Sequence, residues 1–172
     1  MPWRVLRLVR TMRDHPQGTE QFDEWQVQAL AAGDTIRIDV APGARPVYGA
    51  RLLDAPETPG GVGQVEGGIV RLGLPHRFEP GEQHRFALVC HYRERVDNCL
   101  HRPRLTTDRL SIQVAFADRP RAVWAVNGLD AEGTDAVSPA LLVPPDGVVS
   151  VDCLNPLRGQ PYGLRWSFRA GQ

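Results

Sequence analysis

The side chains best suited to metal chemistry lie in the middle of the chain. They are Cys90, His91, Cys99 and His101, and side chains of these two types bind zinc when they converge on one point. Cys90 and His91 are neighbours on a predicted strand, so their side chains face opposite sides of it. The spacing of the four residues resembles no zinc motif. We therefore predict neither a metal site nor a cofactor.

Residues for nucleophilic or acid–base catalysis do not form a recognisable set. The chain has no Gly-x-Ser-x-Gly sequence, and none of its cysteines is flanked like a catalytic nucleophile. Acidic residues such as Asp23 and Glu24 are spaced like solvated strand residues, whereas glycoside hydrolysis needs two carboxylates that face each other across a cleft. We predict no catalytic residue and expect a protein that is not an enzyme. A small enzyme with a pocket between two sheets is the alternative.

Recognition of a partner has more support in the sequence. Residues 97–107 form a polar stretch between two long predicted strands, and loops held by a rigid sandwich often carry recognition. Arginine and aromatic side chains are common anchors at interfaces. The candidate binding residues are Tyr92, His101, Arg102, Arg104 and Trp124. For Tyr92 and Trp124 the alternative is a place in the core.

The elements that must hold these residues are β-strands, because apolar and polar residues alternate along most of the chain. The alternation is clearest over residues 83–96, 109–117 and 162–168. Residues 3–12 also fit a helical stripe, but the turn that follows them and the alternation over 19–29 favour a hairpin. In all, about ten strands are predicted, bounded by proline, glycine and aspartate.

This pattern predicts an all-β fold that forms one domain over residues 1–172. Half-polar strands joined by hairpin-like turns indicate antiparallel pairing. We expect an antiparallel two-sheet sandwich of the immunoglobulin-like or jelly-roll-like type. In such a sandwich Tyr162, Leu164 and Trp166 point into the core, and Gly163 permits close packing or a bulge.

Composition restricts the partners and the setting. The chain has 20 basic and 20 acidic residues, so it has no long-range attraction for nucleic acid or for an anionic membrane. It contains neither an apolar run long enough for a membrane span nor a secretory signal, and we expect a cytoplasmic protein. Its three cysteines are then expected to stay reduced, although Cys90 and Cys99 are close enough in sequence to bridge a loop.

A further pattern of aromatic, proline and charged positions runs through residues 75–168. Its members are Tyr92, Pro103, Asp108, Arg109, Leu110, Ile112, Val114, Phe116, Pro120, Arg121, Val123, Trp124 and the segment Tyr162-Gly163-Leu164-Arg165-Trp166. The pattern resembles a β-rich region of actinobacterial proteins that often follows an XRE-type helix-turn-helix. The N-terminus here lacks two adjacent amphipathic helices, so DNA binding is not carried over. The resemblance implies a sensing or interaction module.

Taken together, these features predict a non-enzymatic interaction or ligand-sensing domain with a regulatory role, whose partner is a protein or a small molecule. Direct nucleic-acid binding and membrane attachment are not expected. A structural or assembly subunit is a further alternative, because long alternating strands can pair at their edges with another copy and form a homo-oligomer.

Overall fold

The computed structural model describes residues 2–15, 17–39, 45–51, 62–66, 69–92 and 94–168. In these ranges the chain forms thirteen β-strands and no helix. The strands are β1 (Trp3–His15), β2 (Gly18–Ala29), β3 (Gly33–Asp39), β4 (Arg45–Arg51), β5 (Val62–Glu66), β6 (Ile69–Phe78), β7 (Gln83–Tyr92), β8 (Asn98–His101), β9 (Thr107–Phe116), β10 (Ala122–Leu129), β11 (Asp135–Ala140), β12 (Val148–Leu154) and β13 (Tyr162–Ser167). Within the same ranges, no helix is long and apolar enough to cross a membrane.

The largest sheet has six strands in the order β12-β9-β1-β2-β7-β4. β1 and β2 form a long antiparallel hairpin, which confirms the prediction for this part of the chain. Buried and less buried side chains alternate along the hairpin except at a β-bulge between Val5 and Arg7, and the buried ones include Leu8 and Trp25. On its other side β1 runs parallel to β9, with Val5 opposite Thr107.

A four-stranded antiparallel sheet in the order β11-β10-β13-β8 faces the six-stranded sheet. Val123, Leu164 and Trp166 on its inner side are buried in the common core. The ring of Trp166 meets the ring of Phe116 edge to face, with 5.2 Å between centroids. Each such large apolar side chain stabilises the fold by about 1.5–3 kcal/mol when it is fully buried, so these contacts hold the two sheets together.

Gly163 on β13 lets the two main sheets approach each other closely. Its φ of 146° is one that residues with a side chain rarely adopt. A Cβ at this position would overlap the carbonyl oxygen of Cys99 on the adjacent strand, and it would lie 3.1 Å from Cδ1 of Ile112 in the facing sheet. The close packing predicted for Gly163 is therefore confirmed.

A third, smaller sheet has the strand order β3-β6-β5. Its buried residues include Ile36, Leu72 and Phe78, which belong to the same core as the main sheets. Trp3 joins this sheet to the start of β1, because its indole nitrogen donates a hydrogen bond of 2.9 Å to the carbonyl oxygen of Thr35. Its ring also packs against Phe78 at 5.8 Å between centroids.

The all-β sandwich with antiparallel sheets is thus confirmed, and the third sheet and the parallel pair add to the predicted picture. The stretch 97–107 differs from the polar loop expected there. It contains β8, and the alternation continues beyond it, with Leu105 buried and Arg102 and Arg104 exposed. The reason is that this stretch leads from the four-stranded to the six-stranded sheet, and Leu105 joins their core on the way.

Candidate binding site

His101, one of the five predicted binding residues, lies inside the sandwich. It is 5% exposed, and its ring meets the ring of Trp25 edge to face at 5.8 Å between centroids. Burial, together with the positive charge of Arg10, lowers the pKa of His101 well below the ordinary value of 6.5. The imidazole is therefore neutral at neutral pH. The ring lines a pocket of about 10 Å³, which has room for about one water molecule.

Tyr92, a second predicted binding residue, is half-buried and ends a chain of hydrogen bonds that leads into the interior. Its hydroxyl donates to Oε1 of Gln21 at 2.9 Å, and the Gln21 amide nitrogen donates to both carboxylate oxygens of Asp23 at 3.2 and 3.1 Å. Asp23 also accepts two bonds from Arg10, from Nε at 2.8 Å and from Nη2 at 2.7 Å. Arg10 Nη1 donates to the carbonyl oxygen of Leu100 on β8 at 3.0 Å. The cluster therefore ties the six-stranded sheet to the four-stranded sheet.

Arg10 and Asp23 form the charged centre of this cluster, with exposures of 4% and 2%. The expectation that Asp23 is solvated was therefore wrong. Burial alone would lower the pKa of Arg10, but the charge of Asp23 and the hydrogen bonds to it outweigh burial and raise that pKa. Burial raises the pKa of Tyr92, because it disfavours the phenolate. A charged guanidinium and a neutral phenol suit a structural tie better than proton transfer.

The other three predicted residues lie outside the core. Arg102 and Arg104 are exposed, and Arg102 Nη2 lies 3.8 Å from a carboxylate oxygen of Asp135, which also pairs with Arg165. Trp124 is half-buried and lies opposite Arg165 on β13, on the outer face of the four-stranded sheet. Arg104 and His101 line one small pocket, whereas Tyr92 belongs to the hydrogen-bonded cluster and Trp124 to the outer face. Their role in binding stays a prediction.

All three cysteines are free thiols. Cys90 and Cys99 are buried, and burial raises the pKa of Cys90 to about 11 and that of Cys99 to about 12. Cys153 is half-buried, and this partial burial also raises its pKa. Because the thiolate is the reactive form and must be reached by the reagent, Cys153 is the thiol best placed to react.

Cys153 lies at a cleft of about 250 Å³ between the two main sheets. One side of the cleft belongs to β9 and β12, and the other to β10, β11 and β13. The apolar part of the lining consists of Leu110, Ile112, Val126, Val151 and Tyr162. Asn127 and Asp152, both exposed, mark its mouth, and the Cys153 sulfur lies 4.0 Å from Oδ1 of Asn127. The cleft is therefore mostly apolar, with its polar groups near solvent.

Small residues on the four-stranded sheet keep this space open. Ala125, Ser138 and Gly163 line the cleft where larger side chains would fill it. The hydroxyl of Ser138 is already engaged, since it accepts a bond from the Ala125 amide at 3.0 Å and donates to the Pro139 carbonyl oxygen at 2.7 Å. This cleft was not predicted from the sequence, because small residues such as Ala125 and Ser138 are compatible with either face of a strand and give no signal of a common space.

Exposed leucines surround the same end of the sandwich. Leu154 ends β12 and is 71% exposed, while Leu157 and Leu129 are 60% and 38% exposed. The Leu157 amide donates to the hydroxyl of Tyr162 at 2.8 Å, which places this leucine next to the cleft lining. We call Leu129, Leu154 and Leu157 the leucine rim. Apolar patches beside a cleft on a protein surface commonly mark interaction sites.

Metal-ligating side chains do not gather at the cleft or elsewhere in the described ranges. No three His, Cys, Asp or Glu side chains in those ranges are grouped so that they could hold a metal ion.

Comparison with known proteins gives a fold but no family. No protein-family model and no curated protein sequence matches the chain. Among solved structures, the chain is similar to an M1 zinc metallopeptidase from Deinococcus radiodurans, with a TM-score of 0.56 and 14% identity over 95% of this chain and 42% of that one. It is also similar to a two-domain M1 zinc metallopeptidase bound to L-tryptophan, with a TM-score of 0.57, 14% identity and coverage of 95% and 43%. The same enzyme type bound to L-arginine gives a TM-score of 0.59 at 13% identity. The chain thus spans less than half the length of these structures and is similar in fold to the part that it matches.

Proposed function

We propose that this chain is a non-enzymatic interaction module, and that its cleft holds an apolar side chain of a protein partner. The observation that carries the proposal is the apolar cleft of about 250 Å³ beside the leucine rim. A central pocket that receives one large anchor, surrounded by weaker contacts, is a common arrangement at protein interfaces.

The size of the cleft favours one side chain over a larger ligand. A cavity of about 150 Å³ is enough to bind benzene, whereas pockets for drug-sized ligands begin at about 300 Å³. At about 250 Å³ the cleft lies between these limits. An aromatic or large aliphatic side chain fits this volume, and a nucleotide-sized cofactor does not.

The polar groups of the cleft support binding rather than catalysis. Ser138 is engaged by backbone groups on both its donor and acceptor sides. Asp152 accepts a bond of 2.5 Å from the Ser111 hydroxyl and pairs with Arg109 at 3.5 Å. These side chains are therefore held in fixed positions at the cleft by their neighbours in the chain.

The similar structures support a module that works beside another domain. In them the shared fold is part of a chain more than twice as long as this one. At 13–14% identity, their peptidase activity is not part of the proposal. We further propose that the partner is a protein in the cytoplasm and that binding is regulatory, as the sequence predicts.

Filling the cleft tests the proposal. Toluene at millimolar concentration serves as the probe, and amide chemical shifts of Val126 and Val151 report its binding by NMR. We expect toluene to shift these resonances in the wild-type protein and in Ala115→Leu, which changes the outer face of β9. The variant Ala125→Leu places a larger side chain in the cleft and is expected to abolish the shifts. Shifts that persist in Ala125→Leu, or that never occur in the wild type, would contradict the proposal.

A further inference from the structure

We propose that the partner segment binds as an added strand along the outer edge of β12, and that it is an extended segment in which apolar and basic residues alternate. This inference rests on the proposed function, since it states how the partner presents its apolar side chain to the cleft. It depends on three features: the backbone of β12, the orientation of its side chains and the charge around it.

The backbone direction of β12 follows from the two hydrogen bonds at its ends. The carbonyl oxygen of Gly147 and the amide of Asn155 both bond to β9, at 3.0 and 2.8 Å. Because amide and carbonyl groups of successive residues point to opposite sides of a strand, those of Ser150, Asp152 and Leu154 point away from β9. β12 is the end strand of its sheet, and no other strand in the described part of the chain pairs with it.

Outward-facing backbone groups of this kind accept an added strand, and of those named here only the Leu154 carbonyl oxygen has a recorded contact, at 3.9 Å from the Cys153 sulfur. An edge strand presents a row of donors and acceptors for another chain, and binding by strand addition combines these bonds with side-chain pockets. Ser150, Asp152 and Leu154, every second residue of β12, can together pair with a segment of about five or six residues. Such a segment would extend the six-stranded sheet by one strand.

The side chains of β12 place the cleft directly beside such a segment. Val151 and Cys153 line the cleft, and Val149 is buried on the same face of the strand. In a sheet, alternate side chains of an added strand continue the face of their neighbour. One side chain of the segment would therefore lie over the mouth of the cleft, with the flanking apolar residues near the leucine rim.

Charge favours a basic partner over a second copy of this chain. Residues 122–157, which include β10, β11 and β12, contain five acidic residues and no basic residue. The acidic residues are Asp130, Glu132, Asp135, Asp146 and Asp152. Arg109 pairs with Asp152, and both Arg102 and Arg165 pair with Asp135, so the ion pairs in the described ranges leave the charges of Asp130, Glu132 and Asp146 uncompensated. β12 carries one acidic residue, Asp152, and no basic residue, so two copies meeting at β12 would offer each other no opposite charge.

A set of synthetic hexapeptides tests this binding mode. The parent peptide has the sequence Arg-Val-Arg-Phe-Arg-Val and is capped at both ends. Two derivatives carry one N-methyl group each, placed on neighbouring residues, so that one methyl faces β12 and the other faces solvent. A fourth peptide has glutamate in place of arginine. Fluorescence anisotropy gives the affinities, and hydrogen exchange of the Ser150 and Asp152 amides is followed by NMR.

We expect the parent peptide to slow exchange at both amides. The N-methyl group that faces β12 removes one backbone hydrogen bond and should weaken binding by about tenfold. The N-methyl group that faces solvent should change the affinity by less than about twofold. The glutamate peptide should bind more weakly than the parent. Ser150→Pro removes an outward amide that strand edges can lose without unfolding, and it should weaken parent binding to a similar extent.

The two proposals can fail separately. Equal effects of the two N-methyl groups, together with loss of binding in Ala125→Leu, would overturn strand addition and leave the cleft proposal intact. Peptide binding that is unchanged in Ala125→Leu would contradict the cleft proposal itself. Equal affinity for the glutamate peptide would overturn the basic partner, as would a concentration-dependent dimer that Ser150→Pro abolishes.

Discussion

The space between the two main sheets is filled in opposite ways in two regions. Beside β8, the ion pair of Arg10 and Asp23 and the hydrogen bonds of Gln21 and Tyr92 occupy the interior. Beside β12, small residues leave a cleft of about 250 Å³. A bond from Arg10 to the backbone of β8 links the sheets in the first region. We infer that this tie sets the distance between the sheets, and that the small residues leave the resulting space unfilled in the second region.

The largest effect on the free energy of unfolding is expected when one partner of the buried ion pair is removed. Asp23→Ala leaves the guanidinium of Arg10 buried without a counter-charge, and we expect a loss of about 3–5 kcal/mol in the free energy of unfolding. Urea denaturation measures it. The double variant Arg10→Met, Asp23→Leu removes both charges and should recover much of this loss. Asp152→Asn, at an exposed pair, is the control and should cost about 0–1 kcal/mol.

A loss below about 1 kcal/mol in Asp23→Ala would contradict a structural role for the tie. The same variant also sharpens the comparison in another way. If the tie sets the distance between the sheets, its loss in Asp23→Ala should change the cleft. Toluene binding should then weaken even under conditions where the variant stays folded.

Acidification is expected to lower the free energy of unfolding by a smaller amount, through His101. The folded protein binds a proton at His101 less readily than the unfolded chain does, because the pKa is lowered by burial and by Arg10. The unfolded state therefore takes up more protons below pH 6.5, and stability falls as the pH decreases from there. For one group this fall is at most about 1.4 kcal/mol per pH unit.

His101→Phe keeps a ring against Trp25 and removes the titrating group. Its unfolding free energy should decrease less than that of the wild type between pH 6.5 and about pH 5, and urea denaturation at a series of pH values tests this. Parallel curves for the two proteins would show that His101 does not carry the dependence.

The smallest effect on stability is expected from the thiol at the cleft. An aromatic disulfide reagent should react quickly with Cys153 and slowly with Cys90 and Cys99, and all three should react at similar rates in denaturant. Cys153→Ser should remove the fast reaction and change the free energy of unfolding by less than about 0.5 kcal/mol. Toluene should slow the fast reaction. A fast reaction that remains in Cys153→Ser would place the accessible thiol elsewhere.

The strands could be predicted from the sequence because burial follows local alternation. Leu164 and Trp166 are buried, as their alternation with Arg165 predicts. The same alternation also predicts that Asp23, the acidic member of the ion pair, is buried. Trp25 and Val27 define the inward side of β2, and counting back from Trp25 by two places Asp23 inside. The prediction failed because the charge of Asp23 was given more weight than its position on the strand.

The cleft could not be derived in this way. It exists because β12 lies at the end of one sheet while β10 and β13 lie inside the other, and the order of strands depends on pairing between distant parts of the chain. Ala125 and Ser138 are compatible with either face of a strand, so their types do not show that they line a common space. Only the packing of the two sheets brings them opposite Val151.

The parallel pairing of β1 with β9 has a consequence for biosynthesis. β1 lies in the interior of its sheet, yet the strand that completes it begins at Thr107, about one hundred residues later. While the ribosome makes residues 30–106, the β1 edge of the N-terminal hairpin is unpaired, and its β2 edge is unpaired until β7 has been made. The nascent chain therefore carries an exposed strand edge throughout this interval, in which a chaperone would matter most.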